Sequence, residues 1–234
     1  MHIPWLDPSD PFPPVESALR NPNGLLAAGA DLSTGRLLDA YSRGIFPWYS
    51  EDEPLLWWSP DPRMVLAVGD LRVSRSLRRR IRSGIFTLTF DAAFQEVMIA
   101  CGHIRRDDGT WITSEMIDGY TELHRLGYAH SVEAWRGNEL VGGVYGMALG
   151  RMFYGESMFA RATDASKVAL AYLVRQLARW KFELIDCQMS TPHLASLGAC
   201  DIPRCEFLVR IRELVARPPV PSPWRFDDEI AQTF

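Results

Sequence analysis

Proline is missing from the middle of this chain. Ten of its 16 prolines fall in residues 1–62 and six from 192 onward, with none between 63 and 191. Proline breaks helix interiors and central strands, so regular structure is expected in the proline-free stretch. Residues 1–62 then read as a small, turn-rich N-terminal domain. Residues 63–234 read as a larger domain whose end, Arg217 to Phe226, is an extended tail on the surface. Cysteine is scarce as well: Cys101, Cys187, Cys200 and Cys205, with no C-x-x-C pair. That spacing excludes a zinc ribbon and a thioredoxin-type site. Cys101 and His103 have no second ligand pair to complete a metal centre, so no metal is expected and reduced thiols in a cytoplasmic protein are the simpler reading. The N-terminus lacks a basic start followed by an apolar run. The longest apolar stretch, Leu140 to Leu149, is too short and too rich in glycine to span a bilayer.

Several catalytic signatures are absent too. There is no G-x-x-x-x-G-K-[ST] phosphate loop, no G-x-S-x-G elbow and no dinucleotide fingerprint. An enzyme built on this chain would need a donor that arrives already activated. The net charge is −4, so a nucleic acid could be held only by a local basic patch.

What is present points to an α+β fold with a mixed sheet. A helix is expected from Ser33, with Leu37, Leu38 and Tyr41 inward and Gly44 as its stop. The segment RVSRSLRRRIRSG reads as a helix with Val73, Leu77 and Ile81 on one face and Arg75, Arg78, Arg79 and Arg82 on the other. Further helices are expected from Asp91 to about Gly102 and from Thr113 or Ser114 to Gly127. Three strands joined by turns at Gly137-Asn138 and Gly150-Arg151 follow. A long helix capped by Thr163 or Asp164 runs to about Trp180, then the strand Phe182 to Met189, then a short helix opened by Thr191-Pro192. Strands followed by helix and strand suggest a mixed sheet.

Three places could carry chemistry. In the strand Phe182 to Met189, alternation puts Asp186 and Gln188 on one side. An acid at the end of an apolar strand is costly unless it is paired or exposed to a cleft; its plain structural role would be to cap the helix near Thr191. Glu156 lies between Phe153 and Phe159, where burial raises a carboxyl pKa; its plain structural role would be an ion pair with Arg161 or Lys167. Six arginines in eleven residues, Arg72 to Arg82, contain no acid. They form either a solvated helix face or a seat for a phosphate backbone. Trp48 and Trp111 could stack on a splayed base or simply pack in the core.

A set of strings occurs together and in order: NPNGLLAAGADLS, GIFPWY, LWWSPDPR, TWIT, GYAHSVEAW, LVGGVYG, GESMF, DASK, LIDCQ and SLGA. Over about residues 21–205 the chain resembles the bacterial leucyl/phenylalanyl-tRNA–protein transferase family. The resemblance implies a small N-terminal domain followed by an acyltransferase domain of the GNAT type. It implies transfer of Leu or Phe, less often Met, from aminoacyl-tRNA to the α-amine of an N-terminal Arg or Lys of a protein, which marks that protein for proteolysis. It implies no cofactor and no membrane; a monomer is expected. Carried over by motif, Asp186, Gln188 and Glu156 are the catalytic group. Tyr41, Trp48, Trp111, Val144, Ser157, Met158, Leu170 and Leu173 surround the aminoacyl-adenosine. Arg75, Arg78, Arg79 and Arg82 are expected to meet the tRNA. Val144 stands where the family often has Met, and Thr191 where it often has Asn. Asp186 is expected to take the amine proton, with Gln188 as orienter. Two other readings stay open. A CoA-dependent N-acyltransferase on the same fold would want glycines at the turn Phe159 to Lys167, which has none. A non-catalytic RNA-binding module would leave Asp186, Gln188 and Glu156 without a purpose.

Overall fold

The computed structural model describes residues 3–103 and 112–230. The chain folds around two sheets. The first is built from four short strands: β1 (Trp5–Leu6), β2 (Leu25–Gly29), β3 (Phe46–Pro47) and β4 (Leu56–Trp58), in the order β1-β2-β4-β3. No alternating pattern in residues 1–62 announces these strands. They are too short to show a period, and long-range pairing defines them. Between β2 and β3 stands α1 (Thr34–Ser42), preceded by Ser33 as expected and ended by Gly44 at φ +72°. A β-carbon at Gly44 would press within 3.1 Å of Leu208 and Ile211, so glycine answers both the left-handed turn and the close packing.

The second sheet has seven strands: β5 (Arg63–Ala67), β6 (Thr87–Phe90), β7 (Ala129–Arg136), β8 (Glu139–Leu149), β9 (Met152–Ala160), β10 (Leu184–Gln188) and β11 (Cys200–Ile202), in the order β11-β5-β10-β9-β8-β7-β6. All pairs are antiparallel except β9–β10, so the sheet is mixed. The two parallel strands are joined by α5 (Ala165–Arg179), as a parallel connection requires. The α5 face carrying Val168, Leu170, Leu173, Val174 and Leu177 is buried against the sheet. Each such side chain contributes roughly 1.5–3 kcal/mol of hydrophobic stabilisation. On the other face lie α3 (Phe94–His103) and α4 (Ser114–Arg125), α4 capped by Thr113, whose hydroxyl accepts from Met116 N at 3.2 Å.

Several local expectations shift. The α3 helix starts at Phe94, not Asp91. Asp91 sits at φ +56° and its carboxylate accepts from Ser131 N at 2.8 Å, which ties it to β7 instead. The arginine helix α2 (Arg75–Arg82) leaves Val73 outside its first turn. Ser74 caps it, and Leu77 and Ile81 are its buried pair. Asp164 precedes α5 without a side-chain cap bond and faces Lys167 at 3.6 Å and Arg80 at 3.9 Å. A helix absent from the expectations, α7 (Arg204–Val215), buries Phe207, Ile211 and Leu214. The proline-rich tail is extended, but Trp224 is buried to 3% exposure and stacks flat on His130 at 3.5 Å. The indole has a large apolar surface to bury, and its burial pins the tail to the sheet's helix-covered side.

Candidate functional site

The parallel partners β9 and β10 pair only through Tyr154↔Asp186 and then part. Just past that point each strand carries a bulge. On β9, Tyr145↔Ser157 and Gly146↔Gly155 leave Glu156 as the extra residue. On β10, Asp186↔Val65 and Gln188↔Met64 leave Cys187 as the extra residue, and Gln188 takes φ +63°. A bulge breaks strict alternation and re-aims side chains, and two side by side open the sheet. The gap is a cavity of about 460 Å³. Its walls include Trp48, Val144, Glu156, Ser157, Met158, Leu170 and Gln188, together with Phe46, Leu66, Ile185, Cys187, Leu194 and Leu197.

Of the residues expected at a site, those seven from the first group are brought together. Tyr41 and Leu173 are buried but stand behind the wall. Trp48 is 37% exposed and meets Trp58 edge to face at 5.4 Å, which leaves an aromatic surface at the rim. Trp111 lies outside the described residues. Arg75, Arg78 and Arg79 are exposed along α2, which packs on α5, the helix that lends Leu170 to the cavity. Arg82 is exposed as well. Thr191, on the cavity wall, also accepts from Leu194 N at 3.2 Å as the cap of α6 (Pro192–Ser196).

The polar side of the cavity is one connected network. Glu156 Oε1 accepts from Tyr41 OH at 2.6 Å and from Gln188 Nε2 at 2.9 Å, and Oε2 lies 3.5 Å from Tyr120 OH. The hydroxyls of Tyr41 and Tyr120 are bonded to each other, and Tyr154 OH donates to Tyr41 O at 2.9 Å. Burial pushes the Glu156 carboxyl up to about 8; the Tyr41 hydrogen bond opposes the rise and the charge of Asp186 adds to it. The alternative role, an ion pair with Arg161 or Lys167, is not what Glu156 does. Lys167 turns to Asp164, and Arg161 lies over Phe159.

Asp186 is paired rather than exposed to the cleft. It is fully buried, is not on the cavity wall, and does not cap α6. Arg63 Nε donates to Oδ1 at 2.8 Å and Nη2 to Oδ2 at 2.6 Å, a two-pronged ion pair with both side chains at 0% exposure. Oδ1 also accepts from Gln188 N at 2.8 Å. The bulge at Cys187 therefore separates what alternation would have kept together: Gln188 faces the cavity and Asp186 is buried under it. Arg63 was not flagged by sequence reasoning. Its one signal was a cation opening an apolar strand, RMVLA. Cys187 lines the cavity, and burial pushes its thiol up to about 12, which keeps it protonated and a poor nucleophile. Among the described residues no cluster of three or more His, Cys, Asp or Glu could hold a metal.

The chain is similar to known sequences and, distantly, to solved structures. The profile described as leucyl/phenylalanyl-tRNA protein transferase matches residues 65–212, and that of the N-terminal domain of the same transferase matches residues 30–61. A leucyl/phenylalanyl-tRNA–protein transferase from Thiobacillus denitrificans is 62% identical over 217 residues, which cover 92% of this chain and 95% of the relative. One of the same name from Nitrosospira multiformis is 58% identical over 228 residues, covering 97% and 98%. Among solved structures, a GCN5-related N-acetyltransferase from Kribbella flavida aligns with 73% of this chain and 61% of its own at a TM-score of 0.37 and 14% identity.

Proposed function

The chain belongs to the leucyl/phenylalanyl-tRNA–protein transferase family, and from that premise we propose how it moves an aminoacyl group from tRNA to a protein. Residues 63–234 act as a GNAT-type acyltransferase domain, and residues 1–62 close one side of its cavity through Phe46 and Trp48. The observation that carries this reading is the cavity itself: an apolar chamber with one buried carboxyl and one amide on its wall, opened by the parting of β9 and β10.

The donor is an ester, so no cofactor is needed. The apolar walls, Val144, Met158, Leu170 and Ile185, take the side chain of Leu or Phe, and less often Met. Trp48 stacks on the terminal adenosine. The arginines of α2 follow the tRNA backbone. The acceptor is the α-amine of an N-terminal Arg or Lys. Its nitrogen attacks the ester carbonyl, the C–N bond forms, and the ester C–O bond breaks. Ionised Glu156 takes the amine proton and returns it to the departing ribose oxygen. A proton acceptor with a pKa near 8 matches an α-amine with a pKa of about 7.7–8.0. Gln188 orients the amine. Asp186, with both oxygens held by Arg63, orients Gln188 and does not itself take the proton. The protein works in the cytoplasm as a monomer, and its product carries a signal for proteolysis. Among the described residues no helix is long and apolar enough to cross a membrane.

The test is direct. Purified protein is mixed with tRNA charged with radiolabelled leucine and with peptides beginning in Arg or Ala. Label should enter the first peptide only. Binding of charged tRNA with no label transferred would leave the chain as an RNA-binding module, and a thermal shift with acetyl-CoA would favour a CoA-dependent enzyme.

A further inference from the structure

The guanidinium of Arg63 is among the most elaborately held groups in the molecule. It is fully buried. Two of its nitrogens grip Asp186, and a third donates to Gly44 O at 3.0 Å. Its carbon lies 4.7 Å from the ring centre of Phe46 and 4.7 Å from that of Phe207. Four separate elements therefore meet on one cation: the turn after α1, β3, β10 and α7. Phe46 is also a lining residue of the cavity, so one residue borders both the donor space and the cation. A buried arginine would be costly if it were only filling space. Replacing such a pair with apolar residues is often neutral or stabilising, so its presence asks for another reason.

That reason lies in what the pair holds. Gln188 has a left-handed backbone, at φ +63°, which is unfavourable for a side chain larger than glycine or asparagine. Its N–H donates to Asp186 Oδ1 at 2.8 Å. Its side-chain amide then donates to Glu156. An anion held by a rigid fork thus fixes the backbone turn, and the turn aims the amide. We infer that Arg63 is a positioning residue of the transfer reaction, locking Asp186 as a fixed anion so that the β10 bulge points Gln188 at the acceptor amine. The inference rests on the transferase reading above, and its test separates the two. If wild-type protein transfers no label, the reading fails; if wild-type transfers and the variants below behave normally, the inference fails.

The variants are Arg63→Gln, Arg63→Lys, Asp186→Asn and the double Arg63→Gln/Asp186→Asn, compared by kcat and KM for leucyl-tRNA and an Arg-initiated peptide. Arg63→Gln should lower kcat by about a hundredfold while KM for the charged tRNA stays within about threefold, because a misaimed group costs turnover rather than binding. Arg63→Lys keeps the charge but not the fork, so it should lie between. The double variant leaves no buried charge and allows two amides to bond each other. It should fold, and it should turn over at least about tenfold faster than Asp186→Asn alone, since two coupled sites do not add. Three results would overturn the inference. One is a folded Arg63→Gln or Arg63→Lys with wild-type kcat. A second is a loss confined to KM. The third is a double variant no faster than Asp186→Asn, which would return Asp186 to a direct role in proton transfer. Should Arg63→Gln fail to fold, Arg63→Lys and the double variant decide.

Discussion

Two buried polar clusters sit in the seven-stranded sheet, two strands apart, and only one opens to a cavity. Around Glu156 on β9, tyrosine hydroxyls and the Gln188 amide surround a carboxyl that lines a cavity. Around Glu133 on β7, the hydroxyls of Ser131 and Thr89 do the same for a carboxyl at 0% exposure. Beside it His130 Nδ1 meets Asp91 Oδ2 at 2.8 Å, and Trp224 seals the imidazole. Burial raises the pKa of both glutamates. The difference is the backbone. Glu133 lies in a regular stretch of β7, paired with Thr89 and Gly143, so its side chain points into a filled layer. Glu156 lies in a bulge beside a second bulge, so its neighbours part. A perturbed carboxyl marks a place where charge is costly; an opening beside it makes the place useful.

The comparison breaks most sharply at the carboxyls. Glu156→Gln should lower kcat by about 10²–10⁴-fold, the usual worth of a proton acceptor. The wild-type kcat should rise through about pH 8 as Glu156 and the acceptor amine lose their protons, and the variant should keep only the part of that rise that follows the amine. Stability should move the other way. The folded pKa of about 8 stands above the ordinary 4.5, so native Glu156 favours its proton. Its contribution is fully present below the unfolded pKa and lost as pH rises through the folded one. Glu156→Gln removes that loss, so thermal unfolding should show the variant gaining on the wild type from about pH 5 to 9. A variant that falls behind would mean that Glu156 is held ionised.

On the sealed side the effect should fall on stability alone. Trp224→Ala should cost about 3–5 kcal/mol in urea unfolding. Turnover per folded molecule should stay at the wild-type level, and a tenfold drop in kcat would mean that the tail supports the cavity as well. Glu133→Gln should cost less, about 1–3 kcal/mol, because one hydroxyl then meets an amide donor where it had an acceptor.

Smaller effects sharpen the cavity and its approach. Val144→Met should narrow the apolar wall and lower Phe transfer relative to Leu by about tenfold in competition between the two charged tRNAs. An unchanged ratio would place the donor side chain elsewhere. Replacing Arg78, Arg79 and Arg82 together should weaken tRNA binding and flatten its dependence on salt by up to about 0.9 per lost phosphate contact. An unchanged slope would remove α2 from the interface.

Much of the fold was legible where sequence period and pairing agree. The helix faces of α2, α4 and α5 and the hairpin strands β7 to β9 follow local pattern, because amphipathic burial needs only near neighbours. The N-terminal sheet was not legible, since two- and three-residue strands have no period to read. The α7 helix carries a weak signal in the spacing of Phe207, Ile211 and Leu214, masked by the prolines that follow it. At the site, motif and residue type pointed to Glu156, Gln188, Val144, Met158 and Leu170. Alternation misplaced Asp186, because a bulge is set by the partner strands and leaves no local mark.

The sequence by itself determined which residues can be apolar walls, which of the strongly periodic helices form, and to which family the chain belongs, because these depend on composition, local order and shared strings. The tertiary structure alone decided that Asp186 is buried against Arg63 while Gln188 and Glu156 reach the cavity. That outcome depends on where two parallel strands stop pairing and on a cation arriving from a strand more than a hundred residues away. No local pattern encodes such a meeting, since its geometry comes from the closure of the whole sheet.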